Sequence, residues 1–167
     1  MHVHKDHSTA ASQHPTFRKA ARVVCLLAVI FLLLNAIWFA WRAVKYGAYS
    51  DGMAESPFSS ILVPRYVDSG DGYNYSVKYP DYLSFIGNLS VSIASSEEDL
   101  YSDALIIWPN VDGSYEFGLI LYDEAEWQIY VDVSGQALDP QYDDVVAKHQ
   151  ENVDFLFAQA YTLWELG

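Results

Sequence analysis

Nineteen consecutive residues, Val23–Trp41 (VVCLLAVIFLLLNAIWFAW), carry no charge and only one strongly polar side chain, Asn35. Coiled as a helix at about 1.5 Å per residue, such a run is roughly 28 Å long, close to the bilayer core of about 30 Å. A helix buried in a soluble domain normally keeps a polar face, and this run has none. It exceeds the usual signal-peptide core of about 7–15 residues. Its end, Ile37–Arg42, offers no small-x-small cleavage site, and Gly52-Met53-Ala54, which fits that pattern, lies far past it. No lipobox precedes Cys25, which lies inside the run. The expectation is an uncleaved signal anchor.

The charges around the run suggest its direction. Residues 1–22 carry Lys5, Arg18, Lys19 and Arg22 against Asp6, whereas the chain as a whole is at −13. The excess acid therefore lies beyond the anchor, where five Lys and Arg face 21 carboxylates. Lysine and arginine close to the span are richer on the N-side, which favours a cytoplasmic N-terminus. Arg42 and Lys45, on the other flank, count against that direction unless they snorkel to headgroups beside Trp38 and Trp41. Cys25 is the only cysteine, so no disulfide can form within the chain, which suits a bacterial envelope better than a disulfide-rich secreted scaffold. Asn74-Tyr75-Ser76 and Asn88-Leu89-Ser90 match the glycosylation sequon, a triplet common by chance.

Four stretches follow from composition and periodicity. Residues 1–19 hold four of the five His and no apolar period, as a disordered cytoplasmic tail would. Residues 20–43 form the transmembrane helix. Residues 44–72, punctuated by Gly47, Gly52, Pro57, Pro64, Gly70 and Gly72, read as a tether. Within them Ser59–Val63 is either a short strand or a patch that docks on the domain. Residues 73–167 read as an extracytoplasmic domain.

Alternation marks the strands of that domain. Tyr73, Tyr75, Val77 and Tyr79 share one face, as do Leu89, Val91 and Ile93. Ala104–Trp108 is a short apolar run, Asn110–Gly113 a hairpin turn, and Tyr115–Tyr122 and Glu126–Val133 two more strands. Asp139-Pro140 then opens a helix, with aspartate as cap and proline in the first turn. Tyr142, Val145, Val146, His149, Val153, Leu156, Phe157, Ala160, Leu163 and Trp164 make its apolar stripe. The expected class is α+β: a transmembrane helix, then an antiparallel sheet of about five strands packed against a C-terminal helix.

The domain is poor in catalytic residue types. It has one His, no Cys and no glycine-rich phosphate loop, which excludes thiol nucleophiles, Cys/His zinc sites and P-loop chemistry. His149 lies on the apolar stripe, so it reads as a core-edge residue bonded to a neighbour; as a general base it lacks a nucleophile and an orienting acid. Glu97-Glu98-Asp99, Asp123-Glu124-Glu126 and Asp143-Asp144 read as solvated charge rather than a catalytic pair. Asp68–Gly72 and Asn110–Glu116 place oxygen ligands near glycine, yet neither has the calcium-loop spacing. His2, His4 and His7 read as part of a flexible tail. No cofactor, metal or catalytic residue is assigned.

All 13 tyrosines follow the anchor. Exposed tyrosine is enriched where proteins bind, since it offers contact area at low entropic cost. Tyr82, Tyr101 and Tyr130, with the acids Glu97, Glu98 and Asp99, form the candidate interaction surface. The functional expectation is a membrane-anchored acidic binding or accessory module that takes an envelope protein or a wall component. A cationic partner suits its negative field, and nucleic acid does not. The alternative is a small membrane-tethered hydrolase using acidic residues.

Overall fold

The computed structural model describes residues 14–94, 102–122 and 128–166. The chain divides into two compact units, the first ending at Trp41 and the second beginning at Arg42. Helix α1 runs from His14 in the first unit to Gly47 in the second, the first glycine of the chain and four residues past the expected end. One stretch of it, Lys19–Gly47, is long and apolar enough to cross a membrane. Val24, Leu27, Leu32 and Ile37 point to different sides of the helix and are all exposed. The Asn35 amide donates to the Phe31 carbonyl one turn back at 2.8 Å, so the one polar side chain of the run is satisfied within the helix.

The second unit is α+β, with an antiparallel sheet of seven strands rather than about five. They are β1 (Ala54–Glu55), β2 (Arg65–Gly70), β3 (Tyr73–Lys78), β4 (Asn88–Ile93), β5 (Ala104–Pro109), β6 (Tyr115–Ile120) and β7 (Ile129–Val131). Each pairs with the next in sequence. The two additional strands come from 44–72, the stretch read as a tether. Its glycines are turn chemistry: Asp71 and Gly72 take φ of 53° and 84°, the left-handed pair that closes a two-residue hairpin between β2 and β3. Ser59–Val63 is not a strand; it lies in the β1–β2 connection with Ile61 and Leu62 exposed. β7 is shorter than expected. After it Asp132 accepts from the Ser134 N–H and hydroxyl and from the Gln136 N–H, turning the chain back.

One face of the sheet is dry. Val77, Leu89, Val91, Leu105, Ile107, Leu119 and Ile129 on it are almost wholly buried. Val153, Leu156, Phe157, Ala160 and Trp164 of α3 (Gln150–Trp164) supply the opposing layer, with α3 lying over β4 and β5. The single helix expected after Asp139 is broken in two. A 3-10 turn, Pro140–Tyr142, and α2, Asp143–Lys148, precede α3. Asp139 caps the first turn through the Gln141 N–H, as its sequence position suggests. The break falls at His149, whose apolar spacing continues across it, so periodicity cannot reveal it.

Residues 42–50 form the base of this unit. Tyr46 is fully buried. Its hydroxyl accepts the Gly87 N–H at 2.7 Å, and its ring packs at 5.5 Å from that of Tyr79. The Tyr79 hydroxyl bonds Ser50 at 2.9 Å, and the Trp164 indole N–H donates to the Tyr49 carbonyl at 3.1 Å. Burial raises the ionisation of the Tyr49 and Tyr79 hydroxyls above the ordinary tyrosine range, so both stay neutral. Arg42 and Lys45, read as able to snorkel to headgroups, are bonded within the unit instead. Arg42 donates to the carbonyls of Leu62 and Ile61, at 2.7 and 3.0 Å, and Lys45 to that of Asn110.

Candidate functional site

The outer face of the sheet is the one that carries side chains to solvent. Pleating that sends Leu105 and Ile107 to the core sends Ala104, Ile106 and Trp108 outward, and register brings Gly118 and Tyr130 to the same face. This face has two halves. Across β2–β4 it is polar. Ser69 donates to Asn74 at 2.8 Å, and the hydroxyls of Ser76 and Ser90 meet across the strands at 2.8 Å, around a shallow hollow of about 310 Å³.

Across β5–β7 it is aromatic. The rings of Trp108 and Tyr130 lie 5.9 Å apart, inclined by 39°. Gly118 lies between their strands and makes this possible: a Cβ there would come within 2.9 Å of the Trp108 ring and 3.1 Å of Gln128 Cγ. The indole lies down over a residue with no side chain. Tyr130 remains half exposed. It also borders a second shallow hollow of about 400 Å³, lined by Gln128, Leu138, Asp139, Gln141 and Tyr142. Aromatic faces thus adjoin amide, carboxylate and phenol groups, the mixture found in sites for small polar ligands.

Of the residues expected at an interaction surface, Tyr130 is here. Tyr82 is partly exposed in the β3–β4 connection and does not share this face. Glu97, Glu98, Asp99 and Tyr101 lie outside the described residues, as does Asp123-Glu124-Glu126. Trp108, the centre of the platform, ends the short apolar run Ala104–Trp108. Strict alternation from Leu105 and Ile107 is the signal that places it outside.

A second cluster is polar and buried. Asp103, just before β5, is 3% exposed. Its Oδ1 accepts the Tyr122 N–H at 2.7 Å, and its Oδ2 accepts the Asn152 amide at 2.7 Å and faces His149 Nδ1 at 2.9 Å. His149 is therefore bonded to a neighbour, as its place on the stripe suggested, and the neighbour is an acid, Asp103, that no motif or period in the sequence singles out. Among the described residues no hydroxyl or thiol is hydrogen-bonded to His149. The cluster ties the start of β5 and the end of β6 to the α2–α3 break. The two glycine-bearing turns carry hydrogen bonds of their own: Asp68 accepts the Ser69 N–H at 2.9 Å. In the Asn110–Glu116 turn, Asp112 accepts from the Ser114 N–H and hydroxyl. Among the described residues no three His, Cys, Asp or Glu side chains converge.

No family model, curated protein or solved structure matches this chain.

Proposed function

We propose that the chain is a single-pass membrane protein with a cytoplasmic N-terminus. Its extracytoplasmic domain binds a glycan of the cell envelope on the aromatic half of the uncovered sheet face. The observation that carries this reading is the Trp108–Tyr130 pair held open over Gly118 beside the Gln128–Gln141–Asp139 hollow. A sugar ring presents a flat patch of C–H groups with hydroxyls around its rim. Aromatic faces take the first, through weak C–H contacts, and amide and carboxylate groups take the second.

The test is titration of the full chain in nanodiscs with soluble wall-glycan fragments, read by calorimetry. Trp108→Ala is expected to weaken binding about tenfold or more, the loss typical of a central aromatic contact. Gly118→Val should do the same by lifting the indole. Equal affinity of Trp108→Ala and wild type would remove the platform from the proposal. A protein captured through the same residues would replace the glycan by an envelope protein.

The orientation has its own test. In intact cells, external protease should digest residues 42–167 and spare a tag at Met1, as the basic N-side flank requires. Protection of the domain would reverse the topology.

A further inference from the structure

The anchored end of the domain carries a second surface. Because every strand pairs with its sequence neighbour in antiparallel fashion, successive connections alternate between the two ends of the sheet. The β1–β2, β3–β4 and β5–β6 connections share one end. Each is held by one residue of the segment through which the chain enters the unit. Arg42 bonds the Ile61 and Leu62 carbonyls, Tyr46 the Gly87 N–H, and Lys45 the Asn110 carbonyl.

Each of these connections also presents large apolar side chains to solvent. Phe58 and Ile61 are 83% and 85% exposed, Leu83 63%, and Val111 62%. Leu83 further takes φ of 62°, a left-handed backbone that costs a leucine energy and gives it no burial in return. At the other end of the sheet the β2–β3 connection, Asp71-Gly72, carries no apolar side chain. Among the described residues, the connections with strongly exposed aliphatic and phenylalanine side chains are those at the end tied to Arg42, Lys45 and Tyr46.

We infer that these three connections form a membrane-docking surface, with Phe58, Ile61, Leu83 and Val111 inserted at the headgroup–acyl boundary of the bilayer that α1 crosses. The occupant is the lipid itself. The chain enters the domain at Arg42, at the end of the uncharged run, so the loops tied to Arg42, Lys45 and Tyr46 lie where the covalent link leaves the bilayer. Interfacial segments elsewhere bury apolar side chains to about 5–10 Å in this zone. The inference rests on reading α1 as a membrane anchor.

The experiment uses the full chain with Cys25→Ser, reconstituted in phosphatidylcholine vesicles, with a single polarity-sensitive fluorophore attached at Ile61→Cys, Leu83→Cys or, as a control at the opposite end, Ser69→Cys. Circular dichroism checks that each labelled chain is folded. Labels at 61 and 83 are expected to emit at shorter wavelength than the label at 69. They should be quenched by shallow spin-labelled lipid and show severalfold lower quenching by aqueous iodide. Iodide quenching at 61 and 83 equal to that at 69 overturns the docking surface. Protection from both quenchers also overturns it, in favour of a second copy covering the loops. Failure of the chain to float with the vesicles removes the anchor itself, a result distinct from either.

Discussion

Tyr46→Ala is expected to unfold the domain at working temperature or bring it to the edge of unfolding. The ring is fully buried and packs on Tyr79, and its hydroxyl is the acceptor for the Gly87 N–H. Truncating a large buried aromatic costs about 3–5 kcal/mol, against a typical total of about 5–15 kcal/mol for a domain. Tyr46→Phe should lose only about 1–3 kcal/mol, the cost of one buried N–H left without its acceptor. Gly87→Ala should be nearly as damaging as the alanine at 46. A Cβ at 87 would fall 2.2 Å from the Lys78 carbonyl oxygen and 2.9 Å from both Pro80 N and Tyr46 Cε1, and two of those atoms are backbone. Urea unfolding of the full chain in nanodiscs, followed by amide hydrogen exchange over residues 73–166, measures all three. Wild-type protection in Tyr46→Ala would mean that the segment after the anchor is a linker after all.

Asp103→Ala should be the second large loss, about 1.5–3 kcal/mol, the range for hydrogen bonds to a charged group. The change leaves the Tyr122 N–H, the Asn152 amide and His149 without their shared acceptor. Asp103→Asn should cost less, because one carbonyl oxygen survives as an acceptor. His149→Gln should retain much of the stability, since an amide can still donate at that position. The check is a double-mutant cycle of Asp103→Ala with His149→Ala in thermal unfolding, where groups in contact give non-additive losses. Strict additivity would mean that the two side chains do not stabilise each other. Glycan affinity of folded Asp103→Asn should equal that of wild type.

Most of the domain is readable from the sequence because period-two alternation is a direct image of a half-buried sheet. Tyr75 and Val77, and Leu89 and Val91, fall on the side the pattern assigns. The missed strands are those whose sequence looks like punctuation. In Arg65–Gly70 the polar and small residues Asp68, Ser69 and Gly70 sit in an outer strand with little to bury, so no period appears. Tyr46 was invisible for another reason. An aromatic residue just past an apolar helix, beside Arg42 and Lys45, has the composition of a membrane-interface belt, and composition does not distinguish that from a core residue. Asp103 is hidden because its partners, Tyr122, His149 and Asn152, are distant in sequence and only folding assembles them. Trp108 shows the opposite case: the information was present, but a run of five apolar residues obscured the alternation within it.

The outermost strands are short, two residues in β1 and three in β7, beside neighbours of six. A protein confined to a surface meets its own copies at high local concentration, and an unpaired strand edge is a template for adding another chain. A two-residue strand offers almost no ladder to extend, and on the other side the chain folds back so that Ala137 bridges Val131, occupying part of the β7 edge. In the bilayer setting proposed above, crowding therefore should not drive these domains into continuous sheets, and the long central strands stay enclosed where a neighbour cannot reach them.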